Sequence, residues 1–282
     1  MSIRDRQDSM KTLYITDLDG TLLNESVEVS KESLDIINRL IKKGMEFSIA
    51  TARTAASVTR ILDKLQIQNP VVLMNGALVY DLHKKQYINI EIIDPNDVKT
   101  VMDVFLAEEV TGFAYSIKNH ELQTYFEYLG SNAMKEFYEE RVDKYQKRFT
   151  KVKSFYDVLP NGIVYFCLLD ERRDKLSLVY EKLKDTGLDM AFYQDIYNEK
   201  LWYLEIYSHM ASKFHAVNFV KNFIHADKVV GFGDNLNDIP LSRACDEFYA
   251  VDNAVSLLKE RADGIIESNL NHGVAKFLQD NL

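Results

Sequence analysis

Apolar runs alternate with amphipathic stretches along the first part of the chain. Runs of β-branched and aromatic residues predict three strands, at TLYIT (12–16), MEFSIAT (45–51) and PVVLMNGA (70–77). Two helices are predicted between them, at SKESLDIINRLIKKG (30–44) and TAASVTRILDKL (54–65). Ser30 is a suitable N-cap for the first helix and Gly44 a suitable stop. This order with short links predicts a parallel sheet with right-handed crossovers, whose strand ends share one edge.

The order of predicted strands and helices changes in the middle of the chain. Helical patterns alternate there with paired strands, among them a hairpin that turns at Asn119. The alternation of single strands and helices then returns, and two last helices are predicted at NAVSLLKERA (253–262) and GVAKFLQDNL (273–282). The predicted fold class is therefore α/β, a Rossmann-like parallel sheet core with an inserted α+β cap domain.

This change in the order of predicted elements also predicts the division into domains. We expect residues 1–82 and 208–282 to form the discontinuous α/β core, and residues 83–207 to form the inserted α+β cap. Residues 1–9, MSIRDRQDS, are predicted to be a loose polar extension.

Composition excludes several classes of protein. The chain has 282 residues, of which 46% are hydrophobic and 27% charged, as in a globular protein with a large core. Its formal net charge of −9 argues against nucleic acid as a partner. No apolar run approaches the length that spans a bilayer and no secretory leader is visible, so we expect no membrane partner and a cytoplasmic location. The two cysteines argue against a disulfide framework. The oligomeric state stays open.

Polar residues cluster where the predicted parallel strands end and where the next helix begins. In chain order these candidates are Asp17, Asp19, Thr51, Arg53, Asn75, Gly76, Lys213, Asp234, Asn237 and Asp238. Carboxylates that converge on one point repel each other unless a cation neutralises them, and an all-oxygen set suits Mg²⁺. Beside that ion one carboxylate can act as a nucleophile and a second can carry a proton. A lysine, a hydroxyl and backbone N–H groups suit the charge that develops in phosphoryl transfer.

The same residues carry a resemblance to a known family. DLDGTLL, IATAR, NGA, the lysine of SKFHA, and GDNLND occur in the order of the haloacid dehalogenase superfamily of phosphatases. An insertion between the second and third motifs resembles the type IIB cap of its Cof-like branch. The similarity spans essentially residues 12–282, and as an ordered set the motifs are specific.

The resemblance implies a role for each candidate residue. Asp17 would be the nucleophile that forms an aspartyl-phosphate, and Asp19 would protonate the leaving alcohol and then activate water. Asp17, the backbone carbonyl of Asp19 and Asp234 would ligate Mg²⁺, with Asp238 as a ligand or a support.

The remaining candidates would bind the substrate. Thr51, Lys213 and Asn75 would hold the phosphate, together with Gly76 and Asn237, and Arg53 would position phosphate or substrate. The implied reaction is Mg²⁺-dependent hydrolysis of a small phosphorylated metabolite, with sugar phosphates first and nucleotides, pyridoxal phosphate or flavin mononucleotide as alternatives.

Two other functions stay open from the sequence. A phosphosugar mutase would use the same aspartates but return the phosphoryl group to a sugar, and its products would distinguish it. A non-enzymatic phosphometabolite-binding protein would lose Asp17 or Asp19, and both are present.

Three features of the sequence raise further questions. Around the lysine the family usually has small residues (GVSKG), whereas this chain has Met210 and Phe214 at the flanking positions, which puts the loop shape in doubt. The run RVDKYQKRFTKVK (141–153) is interpreted as a helix with a charged outer face rather than a nucleic-acid surface. The many aromatic residues of the cap are either core residues or part of the pocket for the leaving group.

Overall fold

The computed structural model describes residues 10–195 and 198–282, so the predicted extension at residues 1–9 lies outside the described residues. The strands are β1 (Thr12–Thr16), β2 (Glu46–Ile49), β3 (Val71–Leu73), β4 (Leu78–Asp81), β5 (Gln86–Ile90), β6 (Phe113–Lys118), β7 (Glu121–Phe126), β8 (Thr150–Lys151), β9 (Tyr165–Asp170), β10 (Leu188–Gln194), β11 (Trp202–Ser208), β12 (Lys228–Gly233), β13 (Glu247–Val251) and β14 (Gly264–Ile266). The helices are α1 (Lys31–Lys42), α2 (Ala55–Ile61), α3 (Pro95–Ala107), α4 (Asn132–Tyr145), α5 (Arg173–Leu183), α6 (Lys213–Phe223), α7 (Ile239–Ala244), α8 (Ser256–Lys259) and α9 (Gly273–Asn281).

A five-stranded parallel sheet forms the centre of the molecule. Its order is β14-β13-β12-β1-β2, so β1 lies between a strand from the end of the chain and one from its beginning. Leu13 and Ile15 on one face of β1 and Thr16 on the other are fully buried, as expected for a strand covered on both faces. The predicted fold class is confirmed, and the N-cap at Ser30 of α1 is observed as expected.

The third predicted strand differs from the expectation. β3 joins the parallel sheet only through a single bridge between Ala50 and Val72, and it pairs antiparallel with β4 in a separate sheet of order β3-β4-β5. Met74 and Asn75 adopt left-handed backbone angles, φ 49° and 52°, and reverse the chain directly after β3. The proposed boundary at residues 82 and 83 falls between β4 and β5, and the domain division stays a prediction.

A second large sheet lies above the carboxyl ends of the parallel strands. Its order is β10-β11-β9-β6-β7-β8, antiparallel except for the last pair, and its hairpin turns at Asn119 as predicted. Alternate residues give it two different faces. Phe166 and Leu168 point to a core formed with α3 and α5, whereas Tyr165 and Cys167 pack towards the parallel sheet.

The interpretation of residues 141–153 as one helix is wrong. α4 ends at Tyr145 because Gln146 takes a left-handed conformation, and β8 follows after a short connection. Left-handed residues of this kind end many helices. Within residues 10–195 and 198–282, no helix is both long and apolar enough to cross a membrane.

Candidate active site

Three buried aspartates meet at the carboxyl edge of the parallel sheet. Asp17 follows β1, Asp234 follows the neighbouring β12, and Asp238 lies one turn further along. One carboxylate oxygen from each lies within 4.8 Å of the others. They converge because β1 and β12 are hydrogen-bonded and parallel, so both strands end at the same place.

Lys213 joins two of these carboxylates. Its helix, α6, begins after the N-cap Ser212, and its side chain is fully buried. The ammonium Nζ donates to Asp17 Oδ1 at 2.7 Å and to Asp238 Oδ1 at 2.6 Å. The other oxygen of Asp238 accepts from the backbone N–H of Asp234 at 3.0 Å and of Asn235 at 3.2 Å. Both oxygens of Asp238 therefore hold other parts of the site in place.

Negative charge exceeds positive charge at this point. Burial, opposed by Lys213, raises the pKa of Asp17 to about 8. Burial and then the neighbouring Asp238 and Asp17 raise the pKa of Asp234 well above its ordinary range. Burial works against the charge on Lys213, but Asp17 and Asp238 outweigh it and raise the pKa of the ammonium. Carboxylates destabilised in this way are the donors that a hard divalent cation stabilises, so the cluster fits a metal ion.

The turn after β1 fits closely around Asp234. Gly20 has φ +77°, and a Cβ atom there would lie 2.4 Å from Asp234 Oδ2. Thr21 Oγ1 donates to Asp234 Oδ1 at 2.9 Å, and Asn253 Nδ2 donates to the Gly20 carbonyl at 2.7 Å. Neither Thr21 nor Asn253 is among the site residues predicted from the sequence. The hydroxyl next to Gly20 in the DGT turn was a signal for the first, whereas the second comes from a distant loop.

Asp19 and Arg53 form a two-point ion pair beside the cluster. Arg53 Nε and Nη2 donate to the two carboxylate oxygens of Asp19, each at 2.6 Å. The Arg53 backbone N–H donates to Thr51 Oγ1 at 3.2 Å, and Thr51 is buried. Arg53 thus holds the carboxylate to which the resemblance assigns proton transfer.

Asn75 connects the two large sheets. Its Nδ2 donates to Tyr165 OH at 2.9 Å and to Glu205 Oε2 at 2.6 Å, and both partners belong to the six-stranded sheet. Asn237 Nδ2 approaches Asn75 Oδ1 at 3.4 Å. The amide that was expected to hold phosphate is therefore occupied with the opposite sheet.

Gly76 allows the segment before Lys213 to approach. Its φ is +106°, and a Cβ atom there would lie 2.3 Å from the backbone oxygen of Ala211. Neither Met210 nor Phe214 has a positive φ, so the backbone on either side of Lys213 does not need the glycine that the family usually has. Met210 is exposed, and the ring of Phe214 packs against the core.

A cavity of about 590 Å³ lies between the strand ends and the six-stranded sheet. Of the predicted residues, it is lined by Asp17, Asp19, Thr51, Arg53, Asp234 and Asn237. The other candidates, Asn75, Gly76, Lys213 and Asp238, lie behind this wall. Its other wall contains residues that the sequence analysis did not single out as site residues, including Arg141, Lys147, Tyr193, Tyr203 and Glu205.

Glu205 is a buried carboxylate in this second wall. Hydrogen bonds from the Tyr165 and Tyr193 hydroxyls and from Asn75 reach its side chain. Burial, opposed by these hydrogen bonds and by Lys213, raises its pKa to about 7. The strand WYLEIYS carries only one charged residue, which was the available signal.

Comparison with known proteins assigns the class. A family model for haloacid dehalogenase-like hydrolases matches residues 14–278, and the chain therefore belongs to this family. The 5-amino-6-(5-phospho-D-ribitylamino)uracil phosphatase YwtE of Bacillus subtilis is 25% identical to it, across 97% of this chain and 98% of that protein. The predicted resemblance and the predicted class of enzyme, a phosphatase, are confirmed.

Solved structures show the same fold. A haloacid dehalogenase-like hydrolase from B. subtilis has a TM-score of 0.78 at 23% identity, and the match covers 97% of this chain and 100% of the hydrolase chain. The subclass IIB sugar phosphatase BT4131 has a TM-score of 0.73 at 16% identity, over 96% and 98% of the two chains.

Proposed function

We propose that the protein is a Mg²⁺-dependent phosphomonoester hydrolase that acts on a small phosphorylated metabolite, with sugar phosphates as the first class to test. The observation that carries this proposal is the group formed by Asp17, Asp234 and Lys213, buried at the end of a cavity large enough for such a metabolite. We also propose that residues 83–207 act as the cap that selects the leaving group, and that the protein is cytoplasmic.

Asp17 is the nucleophile in this proposal. A carboxylate oxygen attacks phosphorus, the bond from phosphorus to the alcohol oxygen breaks, and Asp19 gives its proton to the departing oxygen. Asp19 then takes a proton from a water molecule whose oxygen attacks the aspartyl-phosphate, which releases phosphate and restores the Asp17 carboxylate. Both oxygens of Asp19 accept from Arg53 in this structure, so one of these hydrogen bonds must open for Asp19 to carry the proton, while the other keeps the carboxyl group in position.

The cation would be held by Asp17, the backbone carbonyl of Asp19 and Asp234. When bound, Mg²⁺ would neutralise the carboxylates and the phosphate oxygens. Asp238 supports the site by holding Lys213 and the backbone of Asp234. Lys213 holds Asp17 and would provide positive charge to the phosphate, and Thr51 would provide a hydroxyl.

Release of inorganic phosphate from a panel of small phosphomonoesters tests the proposal. We expect turnover with Mg²⁺, none with a chelator, and a loss of at least about 1,000-fold in kcat for Asp17→Asn. Asp63→Asn, an exposed aspartate outside the cavity, is the matched control and should keep wild-type activity. An active Asp17→Asn variant would contradict the mechanism. An isomerised sugar phosphate without free phosphate would indicate a mutase instead.

A further inference from the structure

Lys147 occupies an unusual position in the wall of the cavity. It follows Gln146, whose left-handed conformation ends α4 and turns the chain back, and the Lys147 backbone N–H donates to the Arg141 carbonyl at 3.0 Å. This reversal directs the side chain to the cavity that also contains Asp17. The ammonium lies 4.6 Å from the ring centroid of Tyr115 and 5.1 Å from that of Phe149.

The charge of this ammonium is poorly compensated. Among the described residues, its Nζ makes no hydrogen bond or ion pair, and its partners are the two aromatic faces. Contacts with aromatic rings stabilise a cation less than a carboxylate does. Other lysines, such as Lys213, face carboxylates directly.

Several carboxylates line the same cavity, but none of the described ones pairs with this ammonium. The nearby guanidinium of Arg141 has the same sign as Lys147, and the Cys167 thiol remains neutral because burial raises its pKa. Burial and then Arg141 lower the pKa of Lys147 to about 7. Arg141 stacks on Phe137, 4.0 Å from the ring centroid, and contacts Glu140, so its own position is fixed.

We propose that Lys147 binds an anionic group on the leaving portion of the substrate, either a carboxylate or a second phosphate. This inference rests on the proposed function, and it narrows the substrate class to phosphomonoesters with a second negative charge. The anion would restore full protonation of Lys147 and would form a charge-assisted hydrogen bond with it. A cavity of about 590 Å³ has room for such a two-anion metabolite.

Matched pairs of substrates test the proposal. Glucitol 6-phosphate and 6-phosphogluconate are both open chains and differ by a carboxylate in place of a CH2OH group, and fructose 6-phosphate and fructose 1,6-bisphosphate differ by a phosphate. We expect wild type to prefer the anionic member of at least one pair by roughly 10- to 100-fold in kcat/KM, the range of one charged hydrogen bond. The pair that shows the preference identifies the anion.

Variants of Lys147 show whether this residue causes the preference. Lys147→Met should reduce the ratio of the two kcat/KM values by a similar factor, and Lys147→Arg should retain most of it. Lys135→Met, an exposed lysine of α4 outside this cavity, should leave the ratio unchanged. Equal kcat/KM values within both pairs for wild type would overturn the proposal, and so would a Lys147→Met variant that keeps the wild-type ratio.

A binding measurement separates this proposal from the proposed function. Calorimetric titration of Asp17→Asn with the same four compounds should show the same preference, and adding Lys147→Met should remove it. If wild type releases no phosphate from any compound, the hydrolase proposal fails, and the titration alone decides whether Lys147 binds the anion. If turnover occurs and the titration shows no preference, only the Lys147 proposal fails.

Discussion

The ammonium of Lys213 stabilises two carboxylates from distant parts of the chain. Asp17 follows the first strand, and Asp238 comes 25 residues after the lysine. The sequence predicted that these residues belong to one site, because each lies at a strand end or helix start in a familiar order. It did not predict that Lys213 would lie behind the cavity wall, since that depends on the approach that Gly76 allows.

Replacing Lys213 with methionine should destabilise the fold in the absence of divalent cations. Two buried carboxylates would then lack their partner, and breaking a buried ion pair costs roughly 3–5 kcal/mol. Urea unfolding of Lys213→Met in a chelating buffer measures this loss. Lys276→Met removes a lysine from an exposed pair with Glu267 and should change the unfolding midpoint very little. Equal stability of Lys213→Met and wild type would contradict the argument.

Gly20→Ala should damage the site beyond the strain of its backbone. The new Cβ would lie 2.4 Å from Asp234 Oδ2, so the carboxylate must move, and we expect kcat/KM to fall about 100-fold because small displacements of positioned groups have effects of this size.

Gly44→Ala is the matched control for the backbone strain that alanine causes at a positive φ. Gly44 also has a positive φ, +102°, but a Cβ atom there would have no neighbouring atom within 4 Å. Both variants should lose about 1 kcal/mol of stability from the left-handed conformation, and only Gly20→Ala should lose activity. Wild-type activity in Gly20→Ala would show that Asp234 tolerates displacement.

Individual strands and helices differ in how far their sequences determine them. The residues of β1 match the predicted strand, because an apolar β-branched run ends at an aspartate. The helix predicted at residues 253–262 shortens to α8, since residues 252–254 form a turn and the Val255 backbone, which is extended, donates its N–H to the Asp234 carbonyl. Tertiary contacts of this kind are invisible in local patterns.

Strand β11 shows the same limit for the site. Its alternation predicts a strand, but which face Glu205 occupies depends on pairing with β9, where Glu205 lies opposite Cys167. The residues at the ends of the parallel strands were predictable because their position and chemistry agree. Those of the six-stranded sheet were not, since aromatic residues there suit both a core and a cavity wall.

The buried carboxylate on β11 should make stability depend on pH. The pKa of Glu205 rises from 4.5 to about 7 in the folded state, mainly through burial. The folded protein therefore keeps a proton that the unfolded chain releases between these values. The free energy of unfolding therefore decreases by roughly 3 kcal/mol in total as pH rises from 4.5 to 7. Above pH 7 this contribution is constant.

Glu205→Gln removes this titration, keeps the shape of the side chain and keeps one of the two acceptor oxygens that Tyr165, Tyr193 and Asn75 share. Chemical unfolding at a series of pH values should show that the stability of the variant relative to wild type increases from pH 4.5 to 7 and then stays level. The positive charge of Lys213 lowers the pKa of Glu205 and so opposes the effect of burial. Lys213 is present in both proteins. Parallel pH profiles of the two proteins would contradict the assignment.

At the scale of the whole molecule, the cavity exists because two sheets face each other across a few polar contacts. Asn75 provides two of them, from the turn after β3 to Tyr165 of β9 and Glu205 of β11. This side chain therefore links the turn beside the parallel-sheet site to the opposite wall. Removing the Asn75 side chain distinguishes two roles. Loss of a link between the sheets would change hydrogen exchange, whereas loss of a phosphate ligand would change KM.

Asn75→Ala should loosen the six-stranded sheet relative to the parallel sheet. The variant loses two buried hydrogen bonds, one of them to a carboxylate, so hydrogen exchange in peptides from β9 and β11 should accelerate by roughly tenfold or more, while β1 and β12 keep their protection. Asn218→Ala is the matched control, because among the described residues its amide donates to the Phe214 carbonyl within α6 and to no residue of the six-stranded sheet. A raised KM with unchanged exchange would mean that Asn75 serves the substrate alone. Faster exchange would mean that the residue holds the two walls of the cavity together.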